Sequence, residues 1–421
     1  MNSRERLQCV LNHRRPDRVP MDFGAGGQTG IMASTVYKLK QYYGLLEPGE
    51  RIKVIEPYQM LGEVDDKLRD HLGIDAVGVG PLYNMFGCRN EDYKEFTLFD
   101  GTPVWVPGHF NTEADGSGNI PMYPQGDESC PPSAVMPSGG YYFDAVPRKV
   151  VTDDSGLDCR DNCEEFVPLS DEELSHFGKV VAGARENYPD KGLYLTFPGA
   201  AFGDIGLVPA TFLKDPRGIR DISDWYMSLA LRPDYIKKVF EYQCENALAN
   251  LKRLFEAVGN EIDVIFMSGT DFGTQSAPMM SEATYRELFL PYQKCLNDWV
   301  HENTTWKTFM HSCGAIEPLL EAIIEAGFDV LNPVQCSATG MDPEMLVDKY
   351  GDRLVFWGGG VDTQNTLPFG TPEQVFDEVS QRVNTMKRAN GYVFNAIHNV
   401  QANIPPENFD AAIKAYKKAS E

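Results

Sequence analysis

Short strand-like runs, each followed by a helical pattern, recur eight times along this chain of 421 residues. The runs are rich in β-branched and aromatic residues and usually end in Gly, Pro or Asn, as buried strands do. They occupy residues 18–24, 74–80, 192–198, 263–269, 304–312, 329–335, 354–360 and 392–398. Eight strands that alternate with helices predict a parallel α/β sheet closed into a (β/α)8 barrel of the TIM type. An open doubly wound sheet is the alternative, but no Gly-x-Gly-x-x-Gly follows an early strand.

The stretches between these runs carry recognisable helix starts. Ser281 precedes a helical pattern and is a typical N-cap residue. Thr371 is followed by Pro372, and proline is favoured at the first position of a helix. These helix starts therefore support the predicted alternation of strands and helices.

Residues 97–145 depart from this rhythm and are rich in Gly, Pro, Asp and aromatic residues. The runs VWVPGHF and IPMYP flank the turn-forming segment ADGSGN, a pattern that predicts a β-hairpin. A segment of this length within a compact fold usually serves as a lid or a binding element. We therefore predict a single domain of residues 1–421 in which residues 97–145 form an inserted hairpin cap.

The acidic residues 152–166 follow this insertion and predict a solvated connector. The spacing of Cys159 and Cys163 would suit a metal ion, but no second cysteine pair accompanies them.

Charge and cysteine usage exclude several classes of protein. A formal net charge of −23 would repel the phosphates of nucleic acid. Nine irregularly spaced cysteines do not form a disulfide framework and indicate a reducing compartment. No run approaches the roughly 18 apolar residues that cross a bilayer, and the N-terminal residues lack the apolar centre of a signal peptide. We expect a cytoplasmic protein that binds neither nucleic acid nor membrane.

A candidate metal site lies at the end of the fifth predicted strand. His311 and Cys313 are two residues apart, so both side chains point to the same side of an extended segment. Imidazole nitrogen and thiolate sulfur are preferred zinc ligands, and three protein ligands leave a fourth position for substrate. Cys336, one strand over, is the predicted third ligand, and His398 is the alternative. A buried cysteine beside a hydrogen-bonded histidine would also explain the pair.

Other polar residues end strands at the same rim of the predicted barrel, where active sites of this fold lie. Asp271, Asp362 and His398 are candidate catalytic groups or partners of a metal ligand, although the two aspartates could equally cap helices or turns. The candidate substrate contacts are Gln275, Gln364, Asn399, Tyr142 and Phe143. Gly24, Gly26 and Gly27, together with the triple glycine 358–360, suggest close approach of a large planar ligand or of a partner that presents one.

Four segments of the chain carry a family resemblance. They are SRERLQCVLNHRRPDRVPMDFG at the start, DFGTQSAPMMSEATYRELFLPYQK in the centre, the run from His311 to Val375, and GYVFNAIHNVQANIPPENF near the end. Together they resemble the uroporphyrinogen decarboxylase superfamily over nearly the whole chain apart from the insertion. The resemblance implies a (β/α)8 barrel, in agreement with the strand count, and a choice between decarboxylases and corrinoid-dependent methyltransferases.

The first loop favours the methyltransferase branch. Decarboxylases of the superfamily carry an arginine-rich loop after the first strand, whereas residues 22–34 here contain no arginine. The methyltransferases carry a zinc site that begins His-x-Cys, which His311 and Cys313 match. In members that methylate thiols the third ligand is a cysteine near the last strand, but this chain has Ile397 and His398 there.

The resemblance therefore implies a zinc enzyme that moves a methyl group from a small methylated donor, for example an aryl methyl ether, to a corrinoid on a separate small protein. The aromatic residues of the insertion would suit such a donor, although they could equally pack the insertion onto the barrel. The alternatives are a methylcobalamin:thiol methyltransferase, a uroporphyrinogen-type decarboxylase, and a non-catalytic corrinoid-binding or regulatory barrel.

Overall fold

Seven parallel strands form the central sheet of the computed structural model, which describes residues 1–149 and 153–421. In chain order, the strands among these residues are β1 (Ile31–Met32), β2 (Ile52–Glu56), β3 (Leu61–Gly62), β4 (Ala76–Val79), β5 (Lys94–Thr97), β6 (Pro103–Val106), β7 (Ile120–Met122), β8 (Ala134–Met136), β9 (Asp144–Ala145), β10 (Gly192–Thr196), β11 (Val264–Ser268), β12 (Lys307–His311), β13 (Val330–Asn332), β14 (Val355–Trp357) and β15 (Tyr392–Val393). The central sheet has the order β4-β10-β11-β12-β13-β14-β15, with every neighbouring pair parallel. These strands coincide with seven of the eight predicted ones, which confirms the α/β class.

Helices connect the strands, as parallel pairing requires. In chain order they are α1 (Ser3–Leu11), α2 (Ala33–Tyr42), α3 (Asp66–Leu72), α4 (Asp171–Asn187), α5 (Ile222–Leu231), α6 (Pro233–Val258), α7 (Glu282–Leu288), α8 (Leu290–Asn303), α9 (Leu320–Glu325), α10 (Pro343–Tyr350), α11 (Thr366–Phe369), α12 (Pro372–Met386) and α13 (Pro406–Ala419). The predicted starts are confirmed, since Ser281 caps α7 and Thr371 caps α12 with Pro372 in its first turn. None of the helices formed by the described residues is long and apolar enough for a membrane span.

The first predicted strand, residues 18–24, is reduced to a single bridged residue. Met21 forms a parallel bridge with Phe394, just beyond β15. The Met21 carbonyl accepts the N–H of Asp75, just before β4, at 2.8 Å. The segment is short because Pro20 offers no N–H to a neighbouring strand and the chain turns at Asp22, whose carboxylate accepts the N–H of Ala25 at 3.0 Å. It nevertheless joins the two edges of the central sheet, so the sheet curls into a TIM-like form with seven full strands among the described residues.

Large side chains fill the inside of this curled sheet. The rings of Tyr194 and Phe309 lie 5.0 Å apart, and those of Phe309 and Trp357 lie 5.5 Å apart, measured between centroids. Leu7 and Val10 of α1 belong to the same buried cluster. Helix α1 therefore covers the amino ends of the strands, and the inside of the sheet is a packed core at that end.

The predicted hairpin between VWVPGHF and IPMYP is wrong. Strand β6 pairs with β5 and β2, whereas β7 pairs with β8. The turn between them does form, with the Asp115 carboxylate accepting the N–H of Asn119 at 2.9 Å. Strand β6 stops at Val106 because Pro107 has no N–H, and the Pro107 carbonyl accepts the N–H of Phe110 at 2.9 Å in a second turn. Residues 97–145 thus contribute to two small sheets, β1-β3-β2-β6-β5 and β7-β8-β9.

The predicted acidic connector contains two 3₁₀ turns, apart from Thr152, which lies outside the described residues. The Cys163 sulfur lies 3.2 Å from the carbonyl oxygen of Cys159. Burial raises the pKa of the Cys163 thiol to about 12. Among the described residues, no third potential ligand joins Cys159 and Cys163, so this cysteine pair is set aside as a metal site.

Candidate metal centre at the carboxyl end of the sheet

The carboxyl ends of β10 to β15 meet at one edge of the central sheet. We call this edge, together with the first loop (residues 22–30), the mouth. Asn399 ties the first loop to this edge. Its Oδ1 accepts the N–H of Gly30 at 2.6 Å, and its Nδ2 donates to the carbonyl of Gly27 at 2.8 Å. Reactive side chains from different strands can meet only where such strand ends converge, and in barrel enzymes this is the active end.

Three potential metal ligands meet in the mouth. His311 is the last residue of β12, Cys313 lies two residues beyond it, and His398 follows β15. Their ligand atoms all lie within 4.8 Å of one another. The Cys313 sulfur is 3.4 Å from Nε2 of His311, and the centroids of the two imidazole rings are 5.3 Å apart. Two imidazoles and one thiol at this spacing match the ligand types and number of a zinc site with one open position.

Asn332, at the end of β13, sets the tautomer of His311. The amide Nδ2 of Asn332 donates to the carbonyl of Trp357 at 2.8 Å, which turns Oδ1 toward the imidazole. Oδ1 lies 2.6 Å from Nδ1 of His311 and therefore accepts the Nδ1 proton. Nε2 is left with its lone pair directed toward Cys313. This is the arrangement by which a second residue orients a metal-binding histidine.

Burial controls the protonation of the three residues. It lowers the pKa of His311, and, with the neighbouring His311, it lowers the pKa of His398 to about 3. Both imidazoles are therefore neutral at physiological pH and need no deprotonation to bind a metal ion. Burial, together with the carboxylate of Asp271, raises the pKa of the Cys313 thiol well above its usual value. The thiol therefore stays protonated until a cation displaces its proton.

Asp271 holds the segment that carries Cys313. Its Oδ1 accepts the backbone N–H of Cys313 at 2.7 Å. Its own carbonyl accepts the hydroxyl of Tyr226, from α5, at 2.7 Å. The predicted capping role is thus replaced by a contact across two strand ends, because Ser281 supplies the cap of α7.

Cys336, the predicted third ligand, lies outside the group of His311, Cys313 and His398. Its sulfur faces the carbonyl of Gly359 at 3.9 Å, and burial raises its pKa to about 11, with Arg382 of α12 as its strongest charged neighbour. The physical reason is strand length. Strand β13 ends at Asn332, so Cys336 is four residues into a loop, where its sulfur contacts Gly359 and does not join the three potential ligands.

The remaining polar candidates have local roles or lie on the surface. The Asp362 carboxylate accepts the N–H of Gln364 at 2.7 Å and of Asn365 at 3.1 Å, which is the turn-capping role. Gln364 and Gln275 have exposed side chains. Asn399 braces the first loop, as described above.

Of the two aromatic candidates in the insertion, Phe143 is buried and Tyr142 is half exposed. The Phe143 ring packs against Phe86 and Phe110, with centroids 5.4 and 5.7 Å apart. Phe143 therefore belongs to the core of the insertion. The close approach predicted for the glycines after β14 is made within the protein itself, since a Cβ on Gly360 would lie 2.3 Å from the Phe394 ring.

Comparison with known proteins places the chain in a family. A family model described as uroporphyrinogen decarboxylase (URO-D) matches residues 161–419, which is more than half of the chain. The chain belongs to the uroporphyrinogen decarboxylase family. The matched region contains β10 to β15 and every member of the candidate metal centre.

Individual members of the family are distant in sequence. A uroporphyrinogen decarboxylase from Psychromonas ingrahamii is 30% identical over 107 residues, which cover 24% of this chain and 27% of that relative. One from Pelobacter propionicus is 22% identical over 286 residues, covering 67% of this chain and 76% of the relative. A solved structure described as a methyltransferase from Methanosarcina mazei superposes with a TM-score of 0.54 at 15% identity and 99% coverage of both chains. This last likeness shows a shared fold.

The mouth of this uroporphyrinogen decarboxylase family member also holds carboxylates that the sequence did not single out. Glu56, at the end of β2, accepts the N–H groups of Tyr58 and Gln59 at 3.0 and 2.7 Å, and burial raises its pKa. Asp204 lies in the loop after β10, and burial, with the charge of Asp271, raises its pKa to about 7. Among the described residues, no lysine or arginine contributes to the pKa shifts of Glu56, Asp204, Cys313 or His398. These four groups therefore have no lysine or arginine as a charged neighbour among the described residues.

Asn332 and Asp204 were missed for different reasons. Asn332 lies inside the predicted run 329–335, so the strand-end rule applied to His311 would have found it only if the end of β13 at Asn332 had been known. Asp204 lies in an irregular loop between β10 and α5, where neither periodicity nor a motif singles out one residue.

Proposed function

We propose that this protein is a zinc-dependent methyltransferase that moves a methyl group from a small methylated donor to a corrinoid carried by a separate protein. The observation that carries the proposal is the group of His311, Cys313 and His398, whose ligand atoms lie within 4.8 Å of one another in the mouth. The fold shared with a protein described as a methyltransferase is consistent with it. We propose His398, in place of Cys336, as the third zinc ligand.

The residues present fit zinc. Neutral imidazole nitrogen and cysteine sulfur are the ligands that zinc prefers, and three of them leave one position for an exogenous group. The charges of the site also fit zinc, because a divalent cation would neutralise the negative charges of the Cys313 thiolate and the neighbouring Asp271 carboxylate. When bound, zinc would supply Lewis acidity to the heteroatom that carries the methyl group.

The chain itself orients and shields this chemistry. Asn332 fixes the tautomer of His311, and Asp271 fixes the position of Cys313. Tyr194, Phe309 and Trp357 form an apolar floor beneath the mouth that excludes water from the amino side. Such a preorganised site lowers the cost of bringing two reactants into contact.

The charged groups of the mouth restrict the class of methyl donor that the site can accept. Carboxyl groups without a basic neighbour among the described residues, such as Asp204 and Glu56, disfavour a ligand with many carboxylates, such as a porphyrinogen. A neutral methyl ether meets no such repulsion. The insertion reaches this region, because the Phe143 N–H donates to the carbonyl of Tyr58 at 2.9 Å and the neighbouring Gln59 accepts the Nδ2 of Asn399 at 2.8 Å. The half-exposed Tyr142 beside this contact could then stack on an aryl methyl ether.

The direct test is a methyl-transfer assay with zinc-loaded protein. Reduced cobalamin, free or bound to a small corrinoid protein, is mixed with a panel of methoxylated aromatics, methylamines and methyl thiols. We expect the absorption of methylcobalamin to appear with at least one methoxylated aromatic. The matched control is Cys313→Ala, which should give no transfer.

Each alternative gives a different result in the same preparation. Demethylation of methylcobalamin by a thiol, without use of any donor, would indicate a thiol methyltransferase. Formation of coproporphyrinogen from uroporphyrinogen at enzyme-like rates would indicate a decarboxylase, and we expect none. Corrinoid binding without transfer in any assay would indicate a non-catalytic barrel.

A further inference from the structure

Asp204 is held in the mouth by two contacts. Its Oδ1 accepts the N–H of Gly206 at 2.9 Å, which fixes the carboxyl group. Its Oδ2 lies against Gly269, the first residue after β11, where an added Cβ would be 2.5 Å from that oxygen. Only a glycine at this strand end therefore leaves room for the carboxyl group. The residue as a whole is partly exposed.

The surroundings of Asp204 favour a bound proton. The charged group facing it is Asp271, two residues beyond Gly269, and the titratable Tyr226 of α5 is close to both carboxyl groups. The Tyr226 hydroxyl is already donated to the carbonyl of Asp271 at 2.7 Å. Burial first and the Asp271 charge second raise the pKa of Asp204 to about 7. The group is thus poised to hold and release a proton near physiological pH.

Asp204 also lies on the metal-binding side of the mouth. Asp271, whose charge acts on Asp204, accepts the backbone N–H of Cys313 at 2.7 Å. Asp204 is therefore linked to the segment of Cys313 through one intervening carboxylate, so a donor bound at the metal centre would lie near both carboxyl groups. Metal ligands and a proton source would then face the same bond.

We infer that Asp204 is the acid that protonates the leaving heteroatom of the methyl donor, and that the donor is a neutral ether. The inference rests on the proposed methyltransferase function. An ether leaves as an alkoxide or phenolate that needs a proton, whereas a quaternary ammonium donor leaves as a neutral amine and needs none. An acid beside the metal centre is useful only for the first kind of donor.

The step balances as follows. The carbon–oxygen bond of the ether breaks, and its electron pair stays on oxygen. The reduced corrinoid of the partner protein supplies the electron pair of the new bond to the methyl carbon, and it is the group that is oxidised. The proton moves from Asp204 to the oxygen, which leaves as an alcohol or phenol. Asp204 regains a proton from solvent after the product departs.

The test compares Asp204→Asn with the unchanged protein. Asparagine keeps an oxygen that can accept the N–H of Gly206 but has no proton to transfer. We expect kcat with an aryl methyl ether to fall by roughly 100-fold or more, the usual contribution of a general acid, with KM and zinc content nearly unchanged. Asp377→Asn, on the exposed face of α12, is the matched control and should leave kcat unchanged.

Two readouts separate an acid from a structural residue. In the unchanged protein kcat should fall as pH rises through about 7, because Asp204 loses its proton there, and this fall should be missing in Asp204→Asn. Infrared difference spectra of the protein without donor should show a carboxylic acid band that disappears over the same pH range and is absent from the variant. Ethers with more acidic leaving phenols should lose less rate in the variant.

The outcomes distinguish the two proposals. If the unchanged protein transfers a methyl group but Asp204→Asn has the same rate and pH profile, the acid role is overturned and the methyltransferase function stands. If the infrared band is missing from the unchanged protein at neutral pH, the acid role is also overturned. If the unchanged protein transfers no methyl group from any donor, the proposed function fails, and the acid role fails with it.

Discussion

Buried acidic groups lie at both ends of the central sheet, but their surroundings differ. At the amino end, Asp75 is paired with Arg6 and Arg18, each at 2.8 Å. Asp263 is paired there with Arg4 at 3.0 Å and Arg185 at 3.3 Å. At the carboxyl end, in contrast, Asp204 and Asp271 have no arginine or lysine among their described partners.

The difference in ion pairing indicates that the acidic residues at the amino end stabilise the fold, whereas those at the carboxyl end are available for chemistry. A buried carboxylate surrounded by guanidinium groups is satisfied and inert, and it fixes the helices and strands that supply its partners. A buried carboxylate without a basic partner is stabilised by binding a proton or a cation, and a ligand can supply either. The same residue type therefore holds the fold together at one end and serves the proposed chemistry at the other.

Removing a ligand from the carboxyl end should give the largest effect. Cys313→Ala and His398→Ala should each reduce zinc from one equivalent to a trace, because two remaining ligands form a poor site. Metal analysis after dialysis measures this. The fold should persist, since these residues lie at strand ends, and circular dichroism is the control. Stoichiometric zinc in His398→Ala would contradict the proposed ligand set.

At the amino end the expected effect is on stability. Asp75→Ala would leave the buried Arg6 and the partly buried Arg18 without their shared carboxylate, and it should lower the free energy of unfolding by about 3 kcal/mol. Chemical denaturation checks the value. Zinc content of the folded variant should stay at one equivalent. If Asp75→Ala lost zinc but kept its stability, the amino end would not have the purely structural role that we assign to it.

A smaller effect is expected from the residue that orients His311. Asn332→Ala removes the acceptor for Nδ1 and should weaken zinc binding by roughly 10- to 100-fold, as is usual for such supporting contacts. A competition titration with a chelator measures the affinity. Asn332→Asp is the matched control, because it keeps an acceptor for the Nδ1 proton and should retain most of the affinity.

The smallest effect is expected at Cys336. Cys336→Ser should leave both zinc content and methyl transfer unchanged, because the sulfur contacts Gly359 and lies outside the group of proposed ligands. The same metal analysis and transfer assay apply. A loss of zinc in this variant would restore Cys336 as a ligand and would require the loop after β13 to turn toward the mouth.

The sequence predicted those parts of the molecule in which a periodic pattern is tied directly to geometry. The end of β12 was located to within one residue, so His311 and Cys313 could be placed at the rim. Strand β15 ends at Val393, five residues before its predicted end, yet His398 still lies beside them. Cys336 was misplaced because the apolar run around β13 continues three residues past the end of the strand at Asn332. The hairpin pairing failed because Pro107 ends β6 before it can meet β7. Asp204 could not be found, since its role depends on a contact with Gly269 from a different unit.

The closure of the sheet sets an order of events during synthesis. Met21 pairs with Phe394, and the first loop is held by Asn399, so the two ends of the chain meet beside His398. A ribosome delivers His311 and Cys313 several seconds before His398, on the order of ten at common elongation rates. A nascent chain can therefore offer a metal ion only two of the three proposed ligands. Tight capture of the proposed ion becomes possible only when the segment that carries His398 has been synthesised and has closed the curled sheet, so acquisition of the ion would coincide with closure of the sheet.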